Sequence, residues 1–162
     1  MNLNIFTLIH ILISLLGILS GLVVLGGWLA GRQYARLTAL FLGLTILTSA
    51  TGFFFPLKGL TPAVGVGILS LILLAVSVFA LYVRKLEGGW RKIYVITAVT
   101  ALYFNFFVLV AQMFQKVPAL KELAPTQTEP PFGAAQAVVF VVFLILGFGA
   151  VKGFRSEVER AL

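Results

Sequence analysis

The chain runs to 162 residues, 60% hydrophobic and only 10% charged, with a formal net charge of +7 and a mean hydropathy of +1.10. Soluble domains carry about 25% charged residues, so this chain lacks the polar surface to face water on all sides and reads as a polytopic membrane protein. With no cysteine it has no disulfide, thiolate metal site or cysteine nucleophile, and its basic balance fits loops lying against anionic lipid rather than nucleic acid.

A spanning helix needs roughly 20 mainly apolar residues. Five stretches qualify, at about 4–29, 37–56, 62–83, 93–115 and 133–151. The expected fold is an all-α integral membrane bundle of five transmembrane helices, one domain over residues 1–162.

The first span follows "MNLN", which has no positive n-region. Its apolar stretch is too long for a signal-peptide core, and no small-x-small cleavage site follows closely, so it reads as a retained helix. At 100° per residue, His10, Ser14, Gly17 and Gly21 fall within about 60° of one another. Gly17 and Gly21 form a GxxxG pair, a common helix-packing pattern. The loop "GRQYAR" leads to the second span, where Thr38, Thr45, Thr48, Ser49 and Gly52 share a broad face. "TGFFFP" (51–56) ends that helix with Thr51 near its tip. "TPAVG" restarts the next, with Thr61 as N-cap and Pro62 at the first helical position.

In the third span Ser70 and Ser77 line one side, with Ala63 and Gly67 nearby. The loop "RKLEGGWRK" follows. In the fourth span Thr97, Asn105, Gln112 and Gln115 fall within an arc of roughly 80°. An amide in hydrocarbon costs free energy without a hydrogen-bond partner, so these face the bundle interior, bonding neighbouring helices or a ligand. The fourth loop, "KVPALKELAPTQTEPPF", holds four prolines that restrict its conformations. Thr126, Gln127 and Glu129 in it are placed to cap the last helix or to cover a pocket. The fifth span carries Gln136, Phe140, Phe143 and Gly147 on one stripe, and Gly149 and Gly153 form a second GxxxG. If those last two faced outward, they would invite a partner.

Lys and Arg fall unevenly across the five spans. Arg32, Arg36, Arg84, Lys85, Arg91, Lys92, Lys152, Arg155 and Arg160 lie on one side, and Lys58, Lys116 and Lys121 on the other. The positive-inside rule then puts the N-terminus outside and the C-terminus in the cytoplasm. Trp28, Tyr34, Tyr82, Trp90 and Tyr94 gather near the cytoplasmic ends, as an interfacial aromatic belt would.

That orientation brings His10, Thr51, Gln112 and Gln136 to the outer part of the membrane, with Asn105 deeper. The expected site is an outward polar pocket lined by His10, Ser14, Thr51, Asn105, Gln112 and Gln136, roofed by Thr126, Gln127 and Glu129. Its ligand would be a lipid, a quinone or a small neutral molecule. The chain has no Asp, and its five Glu all fall outside the apolar runs, so proton-coupled transport on a buried carboxylate and voltage sensing have no machinery. Ser14 one turn from His10 lacks an orienting carboxylate. The expectation is therefore non-enzymatic. One imidazole builds no metal site, and haem would need His10 paired with Met113 or with His10 of a second chain. The alternatives are a structural or accessory subunit of a larger membrane complex, with membrane lipids and a homo-oligomer or membrane-protein partner, and, more remotely, a transporter protomer.

The string "NFFVLVAQMFQKVPALKELAPTQTEPPF" (105–132), with "TGFFFP" as a fainter match, resembles small polytopic inner-membrane proteins of bacteria. The resemblance implies a multi-pass protein of the bacterial inner (cytoplasmic) membrane. That group has no activity associated with it, so no site residue is carried over.

Overall fold

The computed structural model describes residues 4–55 and 62–154, and within them every regular element is helical. These elements are α1 (Ile5–Leu29), α2 (Ala35–Gly52), α3 (Pro62–Val78, continued by a π-helical turn over Phe79–Val83), α4 (Trp90–Lys116), α5 (Pro118–Leu123) and α6 (Pro130–Gly153). All but α5 are long and apolar enough to cross a membrane. The expected roles of Pro56, Lys58, Thr61, Arg155 and Arg160 fall outside the described residues. So do those of Met1–Leu3.

Local chemistry sets the ends. Asn4 caps α1, its Oδ1 accepting from the Thr7 amide at 2.8 Å and the Thr7 hydroxyl at 2.7 Å, which satisfies one orphan donor of the first turn. Gly31 turns the chain out of α1 at φ +69, a conformation open to glycine at no cost. Pro62 opens α3 and Pro130 opens α6, where the missing N–H is harmless. The short α5 lies inside the Pro-rich loop, which the periodicity did not resolve as a helix.

The spans form a closed ring, α1 to α2 to α3 to α4 to α6 and back to α1, and α4 also touches α1 and α2. α4 is accordingly the hub. Of its most apolar window 39% is buried in the protein, against 11% for α6 on the periphery. α1 and α2 meet through glycine. A Cβ on Gly21 would lie 2.7 Å from Leu102 Cδ1 and 2.9 Å from the Phe41 ring, and one on Gly17 would lie 3.4 Å from Leu44 Cβ. Small residues let helix backbones approach where lipid supplies no hydrophobic drive.

The second GxxxG faces α1 of its own chain. Gly153 packs on the Trp28 carbonyl and Gly149 on the Leu29 side chain, both at the end of α1. Two of the five aromatics expected in an interfacial belt belong to the core instead. Trp28 and Tyr94 are almost fully buried, because they close on Phe154 edge-to-face, with Trp28 5.3 Å from Tyr94 and 5.4 Å from Phe154. The remaining surface of the spans is Leu, Ile, Val and Phe, for example Leu16 and Leu19 on α1 and Ile145 and Phe148 on α6. Such a surface suits acyl chains and not water.

Candidate functional site: a polar seam through the bundle

The polar residues of the spans pair across helices. Ser77 and Thr97 join α3 to α4 at 2.6 Å. Ser49 donates to Ser70 at 3.1 Å, joining α2 to α3. Asn105 Nδ2 points to Thr45 Oγ1 at 3.5 Å, the long limit of a bond, joining α4 to α2. The Tyr94 hydroxyl pairs with Thr38. All eight residues except Ser49 and Asn105, at 9% exposure each, are more deeply buried still. The stripes of α2, α3 and the first half of α4 thus face a neighbour, although no stripe announced its partner, whereas Gln112 and Gln115 further along α4 are exposed.

At the far end of the seam, His10 Nδ1 lies 2.7 Å from Thr51 Oγ1. The Thr51 hydroxyl donates to the Leu47 carbonyl at 2.6 Å, so toward His10 it accepts. The tautomer that matches this arrangement carries the ring proton on Nδ1 and the lone pair on Nε2. The imidazole stands edge-on to Phe55 at 4.9 Å, and Phe55 packs on Phe6 at 5.1 Å. Among the described residues no group bonds Nε2. Ser14 donates to the His10 carbonyl at 2.7 Å, closing a bond within α1.

The helical register continues this seam inward. Gly21 faces Phe41 and Gly17 faces Leu44 and Thr45. One turn further along α2, Thr48 comes level with Ser14 on α1. Its Oγ1 is buried without a partner, and so is Oε1 of Gln136, whose Nε2 donates to the Phe107 carbonyl at 3.0 Å.

The expected pocket is therefore divided. His10, Ser14 and Thr51 come together between α1 and α2. Asn105 lies deeper with Thr45, and Gln136 lies on the α4–α6 side. Gln112 is a correction, because its side chain is exposed. It shares the face of Asn105 two turns on, at the level where α2 ends at Gly52. Met113, the candidate second haem ligand, is 44% exposed. Among the described residues no three His, Cys, Asp or Glu gather as metal ligands would.

The loop residues hold the loop to α4. Gln127, at φ +61, donates to the Ala111 carbonyl at 2.7 Å and accepts from Gln115 at 3.2 Å. Glu129 is gripped by the Thr126 hydroxyl at 2.8 Å, the Thr126 amide at 3.2 Å and the Thr128 amide at 3.1 Å. Desolvation pushes its carboxyl upward, but these donors outweigh it and hold the group below its ordinary range.

Fold and seam together define a multi-pass α-helical membrane bundle with a hydrogen-bonded polar interior. No family model, curated protein or solved structure matches the chain.

Proposed function

We propose that the protein is a non-enzymatic, membrane-embedded binding protein whose ligand enters between the ends of α1 and α2. The observation that carries this reading is His10. Its Nδ1 is engaged by Thr51, no described group bonds its Nε2, and the unpartnered Thr48 hydroxyl lies deeper in the same seam. A buried polar atom without a partner is costly, and a guest that donates a hydrogen bond would repay it. The described span interiors hold no charged side chain, so the guest is neutral. Within the class of lipids, quinones and small neutral molecules, a lone-pair acceptor favours the hydroxyl-bearing members, such as a quinol or a diacylglycerol.

The distribution of Lys and Arg supports an N-terminus outside and a C-terminus in the cytoplasm of a bacterial inner membrane. An accessory role in a larger membrane complex is the second reading. The low burial of α6 favours it, since that face can take a partner as well as lipid.

Native mass spectrometry of the protein in mild detergent tests the binding reading. A defined non-protein mass should be present, should vanish in His10→Ala and should persist in Gln112→Leu, whose side chain is outside the seam. A protein that takes up neither a quinol nor a diacylglycerol on addition would overturn it. So would a quinol or diacylglycerol adduct indifferent to His10→Ala.

A further inference from the structure

The opposite end of the bundle holds a cleft of about 200 Å³ between the first turns of α2 and the π-helical end of α3. Its floor is the aromatic trio of Trp28, Tyr94 and Phe154, mutually edge-on or tilted at 5.3 to 5.7 Å. Such a floor is rigid and already packed. One wall is Ala35 and Thr38, and the other is Leu81 and Tyr82 from the π-turn itself. We propose that this cleft seats one anionic phospholipid, its phosphate at the basic rim and the start of its acyl chains on the aromatic floor.

Three observations converge. π-Turns inside helices occur frequently at functional sites, and this one supplies a wall of the cleft. It is closed by the Arg84 amide on the Phe79 carbonyl and the Leu86 amide on the Ala80 carbonyl, both at 3.0 Å. Next to it Lys85 and Leu86 stand at φ +48 and +61, a region non-glycine residues seldom occupy and which tends to mark ligand clamps and switches. Charge then selects the guest. Arg32 and Arg36 flank the α2 wall, Lys85 follows the π-turn, and Lys92 begins α4. All four are exposed, whereas Glu87 is the one acidic residue at this end among the described residues. No Lys or Arg lines the cleft itself; these cations sit on the segments that border it, where their field disfavours the quaternary ammonium that an aromatic site of this size would otherwise suit and favours a phosphate.

The test is retention of lipid by the full chain in mild detergent, read by native mass spectrometry with phosphatidylglycerol and phosphatidylcholine as competing probes. The expected result is one phosphatidylglycerol per chain, held about tenfold or more tightly than phosphatidylcholine. Ala35→Phe, which fills the cleft from an exposed position, should abolish that retention, while Ala39→Phe, exposed one turn on and outside the cleft, should leave it intact. The exposed pair Arg36→Gln and Lys85→Gln should erase the lipid preference without altering the fold. Equal retention of both lipids by the unaltered chain would overturn the proposal, as would unchanged retention in Ala35→Phe. Displacement of the lipid by equimolar soluble glycerol phosphate would also overturn it, since it would make the rim a free phosphate site.

Discussion

Replacing Gly153 by alanine should loosen the seat of α6 on α1. The new Cβ would fall on the Trp28 carbonyl oxygen, 3.0 Å from the Leu29 carbonyl oxygen and 3.2 Å from Leu29 Cα. All three are backbone atoms, so no rotamer change relieves the overlap. α1 has no easy retreat either, because the Trp28 ring is trapped between Tyr94 and Phe154. Overpacking of this kind costs about 1–3 kcal/mol, and alanine returns at most about 1 kcal/mol of helix propensity. The net loss should be about 1–2 kcal/mol, a five- to thirty-fold shift toward the unfolded form. Two controls fix the cause. Gly149→Ala meets only Leu29 Cδ2 at 2.7 Å, the tip of a 40% exposed side chain that can swing away, and should be close to neutral. Gly26→Ala meets nothing within 4 Å and should be neutral or slightly stabilising. Reversible unfolding in mixed micelles by increasing dodecyl sulfate, followed by tryptophan fluorescence, reads all three. If Gly153→Ala unfolds at the same midpoint as Gly26→Ala, backbone contact does not hold α6 in place.

The Ser77–Thr97 bond should show a coupling of about 0.6 kcal/mol, and at most about 1.7, in a double-mutant cycle of Ser77→Ala with Thr97→Val; strictly additive losses would mean that the hydroxyls do not support each other. Glu129 should make the fourth loop pH-sensitive in one direction. Its folded pKa lies below its unfolded one, so the clamp on Thr126 and Thr128 is present above the ordinary 4.5 and is lost as pH falls through the lower folded value. Amide-exchange protection at Thr126 and Thr128 should drop over that range and be absent at neutral pH in Glu129→Gln. Protection unchanged by acid or by that substitution would show that the loop is held by Gln127 alone.

The five spans were legible in the chain because a helix in lipid must satisfy its backbone internally and present apolar side chains, and both demands are local. The inward stripes were legible for the same reason. Ser70, Ser77, Thr97 and Asn105 share faces by angle, and burial follows from the cost of a bare hydroxyl or amide in hydrocarbon. What angle cannot supply is height and partner. Gln112 lies on the face of Asn105 yet is exposed, because cover depends on where α2 stops. Trp28 and Tyr94 carry the composition of an interfacial belt yet form the core, because Phe154 meets them from the end of α6. The GxxxG pair at Gly149 and Gly153 reads the same whether it meets a partner or its own chain, and only the return of α6 onto α1 settles which. The cleft beside the π-turn has no signal in hydropathy at all, since its π-helical wall, Leu81 and Tyr82, has the same apolar composition that an α-helical turn would have. Spans and faces are decided by solvent along one helix, whereas pairing, cover and cavities are decided between helices.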